Sequence, residues 1–380
     1  MHWQELIRFT EFNYLLDYVI ALYLICFLIQ LFYYLFYFAR LAFHKPAEKI
    51  TASEPVSVII CARNERDNLL EFLPLYLNQK YPVFEVIVVN DHSVDDTEDV
   101  LKAFALQHKG LKVVNVPDND RFFGSKKFAL TLGIKAAQYD RVLLTDADCR
   151  PGSEHWISRM SHYNPGKKIV LGYGAYQKQP GLLNKLIRFE TFYTAVQYLS
   201  FALANKPYMG VGRNLAYHTE LFFANRGFAS HQHILSGDDD LFINEVATGR
   251  NTQVEVHADG QTISMPKTTF QAWFRQKRRH LTTGKHYQFK HKFNLGLLQL
   301  TQMMLVVLFV VLVIKVRPVY LILGVFVFRY LLQMLIFRLI SNKLGEKDLI
   351  LLAPFLEVFF ILFNPVVVIA NSISRKIKWN

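Results

Sequence analysis

The sequence predicts an α/β protein in which a Rossmann-like domain lies between membrane-spanning helices. Residues 47–292 alternate short apolar runs with longer amphipathic stretches, whereas the chain on either side is almost continuously apolar. Hydrophobic residues make up 52% of the 380 residues, yet charged residues still make up 19%. Acidic residues follow three of the apolar runs, which is where open α/β sheets bind their ligands. We therefore predict an N-terminal transmembrane helix at 1–46, an α/β domain at 47–292 and a C-terminal transmembrane region at 293–380.

The N-terminal segment Tyr14–Phe43 is long enough for one transmembrane helix, because about 20 apolar residues cross a bilayer. It is too long for the apolar core of a signal peptide, and no small-residue cleavage site follows it. Basic residues lie at or just after its end, and they are Arg40, His44, Lys45 and Lys49. Because Lys and Arg concentrate on the cytoplasmic side of membranes, this end is predicted to be cytoplasmic.

Three apolar segments follow the α/β domain, at 295–314, 319–340 and 349–369. Arg329 and Arg338 lie inside the second segment, where such residues face other helices or extend to the interface. Four complete spans would place both termini and the basic C-terminal tail outside, against the charge rule. The sequence therefore leaves open whether one segment is re-entrant or interfacial.

The middle of the chain alternates strand and helix patterns. Strands are predicted at Val56–Ala62, 84–89, 111–116 and 141–145, and helices at 68–78, 95–107 and 125–138. This alternation implies a mostly parallel sheet with helices on both faces. Right-handed crossovers then place the carboxyl ends of all these strands at one edge.

The fourth predicted strand runs into Asp146 and Asp148, which are separated by one alanine. Residues two apart on a strand project to the same side, and paired carboxylates suit a hard divalent cation that phosphate oxygens also hold. The plain alternative is a turn at the end of a strand, where Asp is common. Glu65 and Asp91 follow the first and second strands. Three acidic exits at one edge indicate a nucleotide site rather than three unrelated turns.

At these residues the chain resembles the family-2 glycosyltransferases, which are nucleotide-sugar enzymes with the GT-A fold. The resemblance covers roughly residues 56–280, and its motifs lie at 58–65, 88–97, 126–130 and 145–148. They resemble the opening strand with its Asn-Glu turn, the aspartate turn, the Lys-x-x-Ala-Leu helix start and the metal-binding Asp-x-Asp. Asn90 departs from the pattern, because the family has an aspartate there. The ordered set is far more specific than any single motif.

The resemblance implies a donor site for a nucleoside-diphosphate sugar, expected to be UDP-linked, with Mg²⁺ or Mn²⁺ as cofactor. The residues expected to bind the donor are Ala62, Asn64, Glu65, Asp91, Lys126, Lys127 and Asp146. Asp148, with Asp146, is the expected metal ligand, and Asp91 is expected to lie toward the base. Lys126 or Lys127 would bind phosphate through its charge and the helix-end amides, although a lysine at a helix start is usually solvated.

Asp238, Asp239 and Asp240 precede an apolar helical pattern. An acidic helix N-terminus is the plain interpretation, because the helix dipole favours Asp there. In the resembled family an acidic pair at this place supplies the catalytic base. Asp238 and Asp239 are both candidates, and Asp238 is preferred because Asp240-Leu241 then matches the family's following Asp-Leu. The base would take the acceptor's hydroxyl proton in a single, inverting displacement.

A basic helix is predicted just before the second membrane region, near 270–290. On it Gln276, Arg279 and His280 share one face. They resemble the Gln-x-x-Arg-Trp motif of membrane-embedded family members, with His280 in place of Trp, which implies contacts to acceptor and diphosphate. The alternative is an interfacial helix that meets anionic lipid headgroups. Residues 208–214 are expected to form part of the acceptor pocket.

These observations and the resemblance predict an integral inner-membrane protein with a cytoplasmic, inverting, metal-dependent glycosyltransferase domain. Its acceptor is expected to be a lipid or a glycan, and a processive polysaccharide synthase is the alternative within the class. The acidic set counts against a catalytically inactive scaffold. The net charge of +12 suits a membrane surface, and we expect no nucleic-acid partner, because the aromatic residues concentrate in the apolar segments. The three widely separated cysteines predict neither a disulfide framework nor a zinc site.

Overall fold

The computed structural model describes residues 3–48, 50, 54–117, 126–234, 236–316 and 319–373, with the backbone alone described at 3–13 and 372. The predicted fold class is confirmed, since an α/β domain with a large sheet lies between apolar helices at both ends of the chain.

The strands are β1 (Val56–Ala62), β2 (Phe84–Asn90), β3 (Leu111–Asn115), β4 (Arg141–Asp146), β5 (Cys149–Pro151), β6 (Ile169–Leu171), β7 (Gly174–Tyr176), β8 (Leu215–His218), β9 (Thr252–Val254) and β10 (Thr262–Ser264). Seven of them form one sheet in the order β3-β2-β1-β4-β8-β6-β9, and the other three form a small sheet in the order β5-β10-β7. The first four strands are parallel, as predicted. The sheet as a whole is mixed, because β8 runs antiparallel between β4 and β6.

The helices are α1 (Trp3–Phe32), α2 (Ala39–Phe43), α3 (Arg66–Leu77), α4 (Thr97–Gln107), α5 (Lys126–Ala136), α6 (Trp156–Met160), α7 (Leu182–Leu203), α8 (Thr219–Ala224), α9 (Asp240–Val246), α10 (Phe270–His280), α11 (Phe289–Lys315), α12 (Tyr320–Leu344) and α13 (Ala353–Ile373). A π-helical stretch, Tyr33–Phe38, joins α1 to α2. The predicted domain boundary at 292/293 falls inside the first turn of α11, where Lys290, His291 and Lys292 interrupt the apolar sequence.

Helix α5 packs directly on the parallel part of the sheet, and Gly133 makes this close approach possible. A Cβ atom at Gly133 would lie 2.7 Å from Ile59 Cγ2 and 2.9 Å from Val89 Cγ2. Both of those residues are fully buried on β1 and β2. The contact fixes the height of α5 on the sheet, and it thereby sets where the helix's first residue, Lys126, meets the carboxyl edge.

Four helical segments in the described parts of the chain are long and apolar enough to cross a membrane. They are Tyr14–Phe43, Phe289–Lys315, Tyr320–Leu344 and Lys347–Asn371. Arg329 is 2% exposed, and its guanidinium group pairs with Glu357 between two of these helices. Arg329 therefore faces the neighbouring helices, one of the two positions expected from the sequence, whereas Arg338 is exposed.

Ion pairs and ring contacts tie the α/β domain to the last membrane helices. Arg188 on α7 pairs with Glu346 and Asp348, which follow α12. Trp273 on α10 stacks on Phe363 of α13, with ring centroids 5.2 Å apart. Because these contacts join the soluble domain to the membrane helices, the face of α10 is held in a fixed position beside the bundle.

Candidate functional site

The carboxyl ends of β1, β2 and β4 lie side by side at one edge of the large sheet. In this register Ala62 pairs with Asn90, and Cys61 pairs with Asp146. The main-chain N–H of Asp91 donates to the Ala62 carbonyl over 2.8 Å. The turns that follow these strands, which carry the predicted donor-site residues, therefore meet at one edge.

Lys126 joins the two acidic parts of this site. Its Nζ donates to Asp146 Oδ1 at 2.7 Å and lies 3.2 Å from Asp238 Oδ2. Burial opposes the charge of Lys126, but Asp146, Asp238 and Asp239 outweigh it and hold the lysine's pKa well above its usual value. Lys126 is therefore a cation at neutral pH, placed between the predicted metal-binding acids and the predicted base.

Asp146 and Asp148 can hold a cation together. One ligand atom each from Asp146, Asp148 and Cys149 lies within 4.8 Å of the others. Burial and the charge of Asp146 raise the pKa of Asp148, so a bound cation would relieve an unfavourable local charge. Burial also raises the pKa of the Cys149 thiol well above its usual value, and the thiol contacts Ser264 Oγ at 2.8 Å. The chemistry of the donor set thus fits Mg²⁺ or Mn²⁺ bound by carboxylates.

The turn after β1 is linked to the turn after β2. Asn64 has a left-handed backbone (φ 56°), and its Oδ1 accepts from the Val94 N–H at 2.8 Å. The Asn64 N–H donates to Ser93 Oγ at 3.0 Å. Asp91 is buried, and its Oδ1 lies 2.9 Å from His92 Nδ1. These contacts fix the two turns relative to each other beside the acidic cluster.

Glu65 begins the next helix and is held by two contacts. Its N–H donates to Thr97 Oγ1 at 2.9 Å, and its Oε2 accepts from Asn68 Nδ2 at 2.6 Å. Burial is the main reason that the pKa of Glu65 is raised, and the negative charges of Asp148 and Asp146 add to the effect. Glu65 therefore belongs to the same electrostatic site as the predicted metal ligands.

The three consecutive aspartates have different surroundings. Asp239 accepts from the N–H groups of Gly212 and Asp240, both at 2.7 Å, so it caps α9. Asp240 turns inward and accepts from Thr283 Oγ1 at 2.5 Å and from Tyr287 Oη at 2.8 Å. Asp238 alone among the three contacts Lys126.

The acidity of the aspartates follows these surroundings. Burial, together with Asp238 and Asp240, raises the pKa of Asp239 to about 7. Burial would also raise the pKa of Asp238, but Lys126 outweighs it and holds that pKa below its usual value. Burial raises the pKa of Asp240 as well. Asp238 is therefore the member of this run whose surroundings favour the ionised carboxylate.

Lys127 does not join the cluster. Its Nζ donates to the carbonyls of His231 and Ile234, at 2.7 and 2.8 Å. Burial lowers the pKa of this 3%-exposed lysine to about 8, despite nearby acids. Of the two lysines predicted as phosphate contacts, only Lys126 thus remains a candidate. Consecutive helix residues point in different directions, and Lys127 points toward the chain before α9.

Helix α10 carries the predicted acceptor-side residues. Thr269 caps it by accepting from the Ala272 N–H at 3.3 Å. Gln276 Nε2 donates to Tyr176 Oη at 3.3 Å. His280 is exposed at the end of α10, and the protein atoms around its ring, together with the neighbouring charge of Arg279, lower its pKa to about 3. The positive neighbours of His280 also include Arg213 and Lys126, so the end of α10 belongs to the electrostatic surroundings of the cluster.

Residues 57–222 match the profile of Glycosyl transferase family 2. This part of the chain is a family 2 glycosyl transferase domain. The matched range contains the three strand ends, Lys126 and the Asp146/Asp148 pair. The acidic run before α9 and helix α10 lie beyond the matched range.

The relatives of the family 2 domain include polysaccharide synthases. A poly-β-1,6-N-acetyl-D-glucosamine synthase of Staphylococcus epidermidis is 33% identical over 132 residues, which cover 35% of this chain and 30% of the relative. The synthase of the same name from Staphylococcus aureus (strain MSSA476) is 26% identical over 183 residues, covering 47% of this chain and 43% of the relative. The chain thus spans less than half the length of these curated relatives.

A solved structure shares the fold. The mannosyltransferase PcManGT from Pyrobaculum calidifontis, solved in complex with GDP-Man and Mn²⁺, superimposes with a TM-score of 0.58 at 20% sequence identity. The match covers 92% of this chain and 99% of the neighbour. It therefore supports the fold over almost the whole chain, including the region beyond the family 2 match.

Arg213 acts electrostatically on Asp148, although the sequence assigned it no individual role. Its Cζ lies 4.4 Å from the ring centroid of Tyr176, and its charge lowers the pKa of Asp148 in opposition to burial. Its buried Nε has no hydrogen-bond partner among the described residues. A Cβ atom at Gly174 would lie 2.4 Å from that Nε. The sequence signal for Arg213 was thus Gly174, a glycine that makes room for the arginine side chain.

Proposed function

We propose that this protein is a membrane-anchored, inverting glycosyltransferase that uses a nucleoside-diphosphate sugar. The observation that carries the proposal is the position of Lys126 between Asp146 and Asp238, at the carboxyl edge of a family 2 domain. One cation there touches both the acids suited to a metal–diphosphate group and an acid suited to proton transfer. The leaving diphosphate and the attacking acceptor hydroxyl would therefore meet within one cluster of side chains.

On the donor side, Glu65 and Asp91 are proposed to contact the nucleoside and Lys126 to contact the diphosphate. Mg²⁺ or Mn²⁺ bound by Asp146 and Asp148 would neutralise charge on the leaving diphosphate, a Lewis-acid contribution. Lys126 has the fixed position and permanent charge that stabilise a developing anion without reorganisation. Arg213, with its unpaired Nε beside Asp148, is a second candidate for the diphosphate.

On the acceptor side, we propose Asp238 as the general base. Both carboxylate oxygens of Asp239 already accept from main-chain N–H groups, and Asp240 is engaged by Thr283 and Tyr287. Asp238 contacts Lys126 through Oδ2, which leaves Oδ1 to take the acceptor's hydroxyl proton. When the donor diphosphate draws Lys126 away from Asp238, the carboxylate loses its positive partner. The pKa of Asp238 then rises, and the carboxylate becomes a stronger base.

The acceptor is proposed to arrive from the membrane side, at a cytoplasmic active site of the inner membrane. The support is α10, whose Gln276 and His280 face the site region while Trp273 stacks on α13. A glycan acceptor, and hence polysaccharide synthesis, is favoured by the relatives named as poly-β-1,6-N-acetyl-D-glucosamine synthases. UDP-linked N-acetylglucosamine is therefore the first donor to test, and GDP-mannose is the second.

The test is a donor panel with the full chain in membranes. We expect Mn²⁺-dependent release of nucleoside diphosphate from one sugar donor, with mass spectrometry identifying the extended product. Asp148→Ala should reduce turnover by about two orders of magnitude or more, because the metal contributes several kcal/mol. Asp99→Ala, on the exposed face of α4, is the matched control. Unchanged turnover in Asp148→Ala would refute the metal site, and no turnover with any donor would refute the proposed activity.

A further inference from the structure

A second polar cavity lies away from the carboxylate cluster, where the α/β domain meets the start of α11. It encloses about 290 Å³. Its polar lining residues are Asn205, Lys206, Thr248, Lys290, His291 and Asn294. No acidic residue lines it, and the predicted donor and acceptor sites share no residue with it. The lining therefore selects for an anion.

The two lysines of this cavity lack acidic partners in the described parts of the chain. Lys206 Nζ donates to Tyr37 Oη at 2.9 Å, and Lys290 is exposed on the first turn of α11. His291 is 4% exposed, and its ring lies beside that of Tyr208. Gln288, the residue before α11, makes no side-chain cap, although its own N–H donates to Asn244 Oδ1 at 2.9 Å. The positive end of the α11 dipole therefore adds to the charges of two lysines that lack acidic partners, and this combination favours a phosphate group.

Part of the cavity wall is formed by closely packed backbone. A Cβ atom at Gly249 would lie 2.4 Å from Asn205 Cβ and 2.8 Å from the Asn205 carbonyl oxygen. Asn205 has a left-handed backbone (φ 60°), and Lys167 Nζ donates to the Gly249 carbonyl at 2.7 Å. Because these contacts fix two loops against each other, the cavity is a built feature rather than a gap between side chains.

The cavity lies beside two candidate membrane segments, close to where one of them begins. The candidate span of α11 begins at Phe289, and Tyr33, in the π-helical stretch after α1, donates to the Asn294 carbonyl at 2.7 Å. Phe289 and Phe293 are 78% and 57% exposed. Exposed aromatic rings beside lysines are typical of the membrane–water interface, where lipid headgroups lie.

We propose that this cavity binds the phosphate of an anionic phospholipid, separately from the substrates of the catalytic site. Lys206 and Lys290 contact the phosphate, the amide and hydroxyl groups of Asn205 and Thr248 bind the polar headgroup, and the acyl chains lie along the apolar surface of α11. The bound lipid would join α1, α11 and the α/β domain at one point. The proposal is independent of the identity of the sugar donor.

The test measures thermal unfolding of the detergent-purified full chain during titration with a short-chain phosphatidylglycerol. Phosphatidylcholine of the same chain length and inorganic phosphate are the parallel titrants. We expect phosphatidylglycerol to raise the melting temperature saturably, and Lys290→Gln to weaken its apparent affinity about fivefold. Lys206→Gln should act in the same direction, but it also loses the bond to Tyr37. Lys290→Gln is therefore the decisive variant, because an exposed side chain can be replaced without disturbing the fold.

Lys285→Gln is the matched control, because Lys285 is an exposed lysine of the same basic segment that does not line the cavity. Its affinity for phosphatidylglycerol should stay within twofold of the wild-type value. Equal weakening in both variants would show general surface attraction and overturn the proposal. An equal response to inorganic phosphate would show that the cavity takes a free anion, and an equal response to phosphatidylcholine would show that the anionic headgroup is not recognised. Either result would overturn the assignment to an anionic phospholipid.

Discussion

Lys126 and Lys127 are neighbours in the sequence, yet their side chains make different contacts. Lys126 reaches the carboxylates at the sheet edge, while Lys127 reaches two carbonyls of the chain before α9. Their pKa values move in opposite directions for that reason, since one lysine gains carboxylate partners and the other loses solvent. Of the two lysines in this motif, Lys126 is therefore the predicted phosphate contact, and Lys127 holds the chain before α9 in place.

The shift of Lys127 makes a pH-dependent prediction. Its pKa of about 8 lies below the ordinary lysine value of about 10.4, so the unfolded state binds more protons between these values. Raising the pH through this window should therefore stabilise the folded wild-type protein relative to Lys127→Gln. The measurement is the difference in melting temperature between the two proteins in detergent from about pH 8 to about pH 10. A constant difference across this range would contradict the assignment.

At the scale of elements, α5 and the sheet edge set the geometry of the site. Gly133→Ala should force α5 away from β1 and β2, because the added Cβ would meet Ile59 and Val89 below 3.0 Å. We expect a loss of stability of about 1–3 kcal/mol and lower turnover, since Lys126 moves with the helix. Gly110→Ala is the control, because nothing lies within 4 Å of its added Cβ. Equal stability and turnover in both variants would show that α5 tolerates displacement.

The first four strands and the acids that follow them could be predicted from the sequence. Each is a short apolar run followed by a helical pattern, and the parallel order then places the acids together. Strands β6, β8 and β9 carry no comparable signal, because they have three or four residues and β8 pairs antiparallel with β4 and β6. The position of Arg213 was equally hidden, since it depends on the space that Gly174 leaves beside Tyr176.

The three consecutive aspartates show the same limit of prediction from sequence. The sequence allowed Asp238 or Asp239 as the base, because an acidic helix N-terminus and a catalytic acidic pair have the same residue pattern. Main-chain N–H groups that lie far away in the sequence, such as that of Gly212, distinguish them in space. The preference for Asp238 stays a prediction, now supported by its contact with Lys126.

At the scale of the whole molecule, the membrane arrangement is the least constrained by the sequence. Length and composition allow all four helices to cross a bilayer, while the basic residues near the C-terminus favour the cytoplasm. If all four cross, a reporter fused after the final residue should read as periplasmic. A cytoplasmic signal would show that one helix is re-entrant or interfacial, and a second fusion after α11 would then locate it.

The central claim is that one cluster of side chains binds the donor diphosphate, holds the metal ion and supplies the general base. The variant Asp238→Asn tests this claim most directly. The measurement is nucleoside-diphosphate release by the full chain with Mn²⁺ and the donor found in the panel. The account predicts that turnover falls about 10²–10⁴-fold while donor affinity changes little, because asparagine keeps the shape of Asp238 but cannot take a proton. Asp239→Asn gives up one of the two main-chain contacts of Asp239 but leaves the proposed base intact, so it should lose far less turnover. Wild-type turnover in Asp238→Asn would contradict the account.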